Sequence, residues 1–145
     1  MVIKGMNPAT SARLRTISAA ASVQIAASVF TEQKVGLLVV CGEDGRASGV
    51  ISKSDLVRHL AAGGASQTPV APLIGRPIVF CAPEDELYPT WQVMTARGLQ
   101  NMPVLGADSK PLGVLDIRDA LTALLNEERY EETLVANYVS GVGYR

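Results

Sequence analysis

The sequence predicts an α+β fold in which two β-α-β-β-α units pack on each other about a pseudo-twofold, with a long helix extending the second unit. Three observations lead there. The chain repeats itself without a gap at an offset of 64 positions, so that "GVISKSD" at residues 49–55 meets "GVLDIRD" at 113–119 and residues 14–60 mirror 78–124. The hydrophobic period switches between helical and strand values in the same order in each copy. Each copy spans under 50 residues, too few to bury an apolar sheet face alone, so the two must close on each other.

The elements follow in order. In the first copy "LRTI" is a short extended lead-in, and Ser22 can cap a helix over "VQIAASVFTEQK", where Val23, Ala26, Ala27 and Phe30 share a face. "GLLVVC" reads as a buried strand, "GEDGR" as a hairpin turn and "ASGVIS" as a second strand, after which Ser54 or Asp55 can start the helix "LVRHLAA". "AAGGASQTP" is a linker by composition, and "VAPLIG" a short returning helix. The second copy runs through "IVF", a helix from Asp85 or Glu86 over "LYPTWQVMTAR", then "NMPVL", the turn "GADSK", "PLGVLD" and a helix. Pro89 fits the first turn of its helix when the cap is Glu86 or later, because its missing N–H is not needed there. The last helix continues through "LTALLNEERYEETLVANYV", with Leu121, Leu124, Leu125, Leu134, Val135 and Tyr138 at helical spacing. About 20 such residues reach roughly 30 Å. The expected divisions are an N-terminal segment 1–12, the first repeat 13–62, a linker with a short helix 63–76, the second repeat 77–125, and a helix and tail 126–145.

Composition bounds the function. Hydrophobic residues make up 48% of the 145 and charged ones 19%, which suits a large core and leaves room for self-association. The net charge is −1 and the Lys and Arg are scattered, so no basic stripe offers itself to nucleic acid. No apolar run reaches the roughly 20 residues of a membrane helix, and the start lacks a signal-peptide core, which points to the cytoplasm and away from membranes. Cys41 and Cys81 lie in strand-like stretches without CxxC spacing, as reduced, buried thiols do.

The repeated motif carries the chemistry. Its glycine lets something approach the strand closely, and Ser52 leaves the strand end where a hydroxyl and free N–H groups favour an anion. Asp55 can accept two hydrogen bonds at once, which matches the adjacent hydroxyls of a ribose. A carboxylate repels phosphate, so phosphate falls to Ser52, Lys53 and a nearby Arg. Helix capping without any ligand fits Asp55, Asp119 and Ser52 as well. His59 has no second His or Cys at ligand spacing, so no metal site is expected. No catalytic constellation is present: there is no GxSxG, no Cys/His pairing and no HExxH, and the chain reads as a non-enzyme.

"VGLLVVCGEDGRASGVISKSDLVRHLA" and "ARGLQNMPVLGADSKPLGVLDIRD" resemble the tandem CBS-domain pair, or Bateman module, in the small stand-alone form found in bacteria; the resemblance covers residues 13–125, and "NYVSGVGYR" resembles the tail of some members. It implies an adenosine-containing ligand such as AMP, ADP, ATP, NAD(H) or S-adenosylmethionine, bound without a catalytic cofactor, and a homodimer. Asp55 and Asp119 would take ribose and Ser52 phosphate. Thr16, Ile17, Phe80 and Cys81 with Leu38, Val39, Met102 and Pro103 would frame adenine. Asp116 departs from the pattern, standing where the family usually has Thr or Ser, and opposes phosphate in that half unless Arg118 compensates. The Ser52/Asp55 site is therefore expected to bind a phosphorylated ligand, and the other to be empty or to hold a neutral or cationic adenosyl group. The implied role is a regulatory sensor that signals to an effector protein. The alternatives are a structural homodimer with a degenerate site, which Asp116 favours, and a nucleotide-processing enzyme, which turnover of ATP would reveal.

Overall fold

The computed structural model describes residues Met1–Ser140, with side chains to Glu128. The side chains of Leu134, Val135 and Tyr138 and the last residues of the tail lie outside that description. After a single 3-10 turn Ile3–Met6 come α1 (Ala9–Ala12), β1 (Thr16–Ser18), α2 (Val23–Glu32), β2 (Leu38–Cys41), β3 (Ala47–Ile51) and α3 (Lys53–Ala61). A second 3-10 turn, Ala71–Leu73, leads to α4 (Leu87–Arg97), β4 (Asn101–Leu105), β5 (Pro111–Asp116) and α5 (Ile117–Ser140).

In the first repeat β1 runs parallel to β2 and β2 antiparallel to β3. Ser22 caps α2 by accepting the Ile25 N–H at 3.2 Å, and the helix buries Val23, Ala26 and Phe30 against Ile17, Leu38, Val40 and Ile51. Each large apolar side chain so buried stabilises the fold by about 1.5–3 kcal/mol. Helix α3 starts earlier than its sequence suggests. Ser52, not Ser54 or Asp55, is the cap, and Asp55 is the third residue of a reciprocal capping box.

In the second repeat the expected strand "IVF" shrinks to a single parallel bridge between Cys81 and Val104. The reason is Pro103. In the first repeat the Val39 N–H donates to the Arg15 carbonyl at 3.0 Å, whereas the residue 64 positions on is a proline with no N–H to give. The ladder keeps only the bonds Cys81 N–H to Pro103 O at 3.0 Å and Leu105 N–H to Cys81 O at 2.9 Å. The hairpin turns also correspond, with Gly45 at φ +79° answered by Ser109 at φ +59°.

A seam of Leu37, Val39 and Val114, joined by Leu14, Cys41, Ala47 and Val50, closes the two halves on each other. The segments preceding the repeats are exchanged across it. Ile74 lies over Gly49 of the first repeat, and Thr10 lies over Gly113 of the second, both pairs obeying the 64-residue offset. The N-terminal segment is thus part of the second repeat's core, where Ile3 and Met6 pack with Cys81, Leu87, Met94 and Leu115. Its backbone also finishes α4: Glu86 provides no side-chain cap, and the Leu87 N–H bonds to the Met1 carbonyl at 2.8 Å.

Candidate functional site

Between the repeats lies a cleft of about 720 Å³, within the range of small-molecule sites. Leu37 and Val50 of the first repeat, Leu73 and Ile74 of the linker, and Val79, Leu99 and Pro103 of the second form its apolar walls. Ser52, Ser54 and Asp55 stand at the start of α3, and Arg58, Arg76 and Arg97 bring three cations to the same space. Each comes from a different element: α3, the linker and the last turn of α4.

Asp55 is held in a defined pose. Its Oδ2 accepts the Ser52 backbone N–H at 2.8 Å and the Ser52 hydroxyl at 3.0 Å, and its Oδ1 accepts Arg58 Nη1 at 3.1 Å. A carboxylate has about four lone-pair positions, so one on Oδ1 remains open. Rotating the Ser52 hydroxyl frees a second on Oδ2. Arg58 is 67% exposed and can swing from Asp55 to an anion without losing packing. Two adjacent hydroxyl donors fit those two positions.

The second motif is arranged differently. Asp116, 3% exposed, occupies the cap position that Ser52 holds in the first repeat, accepting the backbone N–H groups of Arg118 at 2.8 Å and Asp119 at 3.3 Å. Arg118 also chelates it through Nε at 3.2 Å and Nη2 at 3.1 Å. Burial pushes the Asp116 carboxyl up, but the Arg118 side-chain and backbone bonds, the Arg13 charge and the Asp119 amide outweigh it and hold it below its ordinary value of 3.8. Asp119 is clamped by Arg13, Nε at 2.6 Å to Oδ2 and Nη2 at 3.2 Å to Oδ1.

A carboxyl depressed in the folded state stabilises it above the unfolded value, and that contribution is lost as the pH falls through the folded one. Urea unfolding between about pH 2.5 and 6 is expected to show stability falling below roughly pH 3.8. Asp116→Asn should flatten that slope; an unchanged slope would show that Asp116 is not responsible.

Of the residues expected at the site, Ser52, Asp55 and Pro103 line the cleft. Ile17, Leu38, Val39 and Met102 are packed in the cores, because the strand faces that carry them meet helices or the seam. Thr16 sits on the exposed side of β1, and Lys53 Nζ lies 5.9 Å over the Phe30 ring. Phe80, Cys81 and Met102 border a separate concavity of about 340 Å³ within the second repeat, beside Asp85 and Glu86 of its own chain. Burial, aided by the Asp85 charge, pushes the Cys81 thiol up to about 12, so it stays protonated at neutral pH. Asp116, Arg118 and Asp119 form their own cluster away from the cleft. The three cleft arginines were not singled out by the motif. The signal for Arg58 is its place one helical turn after Asp55; Arg76 and Arg97 carry none, since they arrive from distant segments.

A family model for the CBS domain matches residues 8–62 and again 70–126. A 17.7 kDa protein of Acidianus ambivalens is 26% identical over 118 residues, covering 81% of this chain and 71% of that protein. A CBS domain protein from Pyrobaculum aerophilum complexed with AMP has the same fold, with a TM-score of 0.73 at 20% identity over 82% of this chain and 89% of that one. So does the CBS domain pair of the protein MJ0100 in complex with 5′-methylthioadenosine and S-adenosyl-L-methionine, with a TM-score of 0.74 at 16% identity over 88% and 98% of the two chains. The first two organisms are archaea.

Proposed function

This chain belongs to the CBS-domain family, and on that premise we propose that it is a regulatory module that binds one phosphorylated adenosine-containing ligand in the cleft between its repeats. The observation that carries the reading is the convergence of Asp55 with Arg58, Arg76 and Arg97 on one apolar-walled cleft. Ribose hydroxyls suit the two positions of the Asp55 carboxylate. Adenine suits the walls of Leu37, Val79, Leu99 and Pro103, and phosphate suits the arginines, of which Arg76 and Arg97 form no ion pair with any described residue. AMP, ADP, ATP and NAD(H) match this charge pattern better than S-adenosylmethionine, whose sulfonium is a cation.

A ligand touching both repeats and the linker favours the arrangement in which all three are closed, by its differential affinity for that arrangement. The reading is non-catalytic, with the signal passed to an effector protein in the cytoplasm. A homodimer is part of it: Ile25, Val57 and Leu60 on α2 and α3, and Tyr88, Val93, Leu121 and Leu125 on α4 and α5, leave apolar side chains exposed on the helices of both repeats.

Thermal melting with AMP, ATP, NAD, S-adenosylmethionine and adenosine tests it. A ligand at about 100 times its dissociation constant adds roughly 2.7 kcal/mol, which is about 5–10 °C in a domain of this size. The rise is expected with the phosphorylated compounds and should vanish in Asp55→Ala. No rise with any adenosyl compound would leave the structural homodimer, a second reading that the clamp of Arg13 on Asp119 favours.

A further inference from the structure

The 64-residue offset lets the two halves of the interior be compared position by position. Opposite the cleft residues Arg58, Arg76 and Arg97 stand Thr122, Ala12 and Gln33, so the second half has none of the three cations. Opposite Ser52 stands Asp116, which adds a negative charge instead. Opposite Pro77 and Val79, which merely wall the first cleft, stand Arg13 and Arg15. Both are turned onto the partners that a ligand would need. Arg13 takes both oxygens of Asp119, the counterpart of Asp55, and comes within 3.6 Å of Asp116. Arg15 hydrogen-bonds Gln33, the counterpart of Arg97, and is fixed by the carbonyls of Ala12 at 3.0 Å and Leu14 at 2.7 Å.

We propose that Arg13 is a built-in occupant of the Asp119 half-site, keeping an uncharged adenosyl ligand out of it for as long as the guanidinium stays in place, while Asp116 and the lack of a free cation bar an anionic one. The chemistry is a substitution of donors. Where ribose hydroxyls would donate to an aspartate, Arg13 Nε and Nη2 donate in the same bidentate fashion, with a full positive charge that outcompetes neutral hydroxyls. Thr10 lying over Gly113 anchors the segment that carries Arg13, so the competitor is tethered at high effective concentration. Without Arg13 the half-site keeps Asp116, Asp119 and Arg118 and no free cation, and it would take an uncharged nucleoside rather than a nucleotide. Arg13 then adds to Asp116 and the missing arginines in making two sequence-related motifs unequal.

The inference rests on the reading of Asp55 as a ligand carboxylate, and the experiment separates the two. Equilibrium dialysis of the full chain against ATP and against adenosine measures stoichiometry in the wild type, Asp119→Asn, Arg13→Ala and Arg13→Ala/Asp119→Asn. The wild type is expected to hold one ATP per chain. Arg13→Ala should gain an adenosine site at least roughly tenfold tighter than any second site in the wild type, and the double variant should lose it. If Arg13→Ala does not fold, Arg13→Lys, which keeps the charge but cannot chelate both oxygens, should show a smaller gain of the same kind. Failure of every chain to bind ATP, with the adenosine gain intact, would sink the Asp55 reading and uphold this one. Two equivalents in the wild type, one of them lost in Asp119→Asn, or no gain in either Arg13 variant, overturns it.

Discussion

Gly113→Val is expected to destabilise the protein by about 3 kcal/mol, near the top of the range for overpacking. A Cβ at this position would lie 2.8 Å from the Thr10 carbonyl carbon, 2.9 Å from its oxygen and 2.9 Å from its Cβ, so the obstacle is mostly backbone. Backbone cannot rotate out of the way. Relief requires lifting α1 from β5, which would pull Arg13 from Asp119 and loosen Ile3 and Met6 from the second core. The matching position in the first repeat provides the control. A Cβ at Gly49 would meet the Ile74 side chain alone, chiefly its Cγ2, and Ile74 is only partly buried and has other rotamers. Gly49→Val should therefore cost about 1 kcal/mol, the low end of the same range. Urea unfolding of the pair checks this, and equal costs at the two glycines would refute the reciprocal crossing as the reason for both.

Ile3→Ala is expected to cost about 3 kcal/mol, the middle of the range for truncating a fully buried aliphatic side chain. Ile3 is 1% exposed and packs with Cys81, Leu87, Met94 and Leu115, although it lies outside both copies of the repeat. Its backbone is tied as firmly, with the Ile3 N–H on the Asp85 carbonyl and the Lys4 N–H on the Pro83 carbonyl, each at 2.8 Å. A segment that merely preceded the fold would tolerate the change to within about 0.5 kcal/mol. That smaller value in a denaturant titration would show residues 1–12 to be dispensable.

The repeat, its element order and most element limits were legible because they are local. Ser22 starts its helix where expected, since its cap depends on the next three residues, and α4 starts after Glu86 as expected although the Met1 carbonyl, not a side chain, takes the Leu87 N–H. The strand before Cys81 was misjudged because its pairing depends on an N–H that Pro103 lacks, on a strand 22 positions away. The cap of α3, Ser52, lies two or three residues before the expected Ser54 or Asp55, because all three are good caps and the capping box that decides among them needs both partners in place. Of the residues that line the cleft, Ser52 and Asp55 were legible through the motif, and Pro103 through the family resemblance. The cleft arginines were not, since Arg76 and Arg97 are brought there by the linker and by α4.

By itself the sequence determined that this protein is a pair of related halves with an acid closing each motif, because hydrophobic period, turn residues and a constant offset are properties of neighbours along the chain. Only the tertiary structure decided which acid faces an open cleft and which is already taken. The deciding bond joins Arg13 to Asp119 across 106 positions, and an ion pair of that span leaves no periodic trace. It exists because the N-terminal segment crosses to the second repeat over Gly113, whereas the position matching Arg13, 64 residues later in the linker, is Pro77, which has no side-chain donor to clamp Asp55.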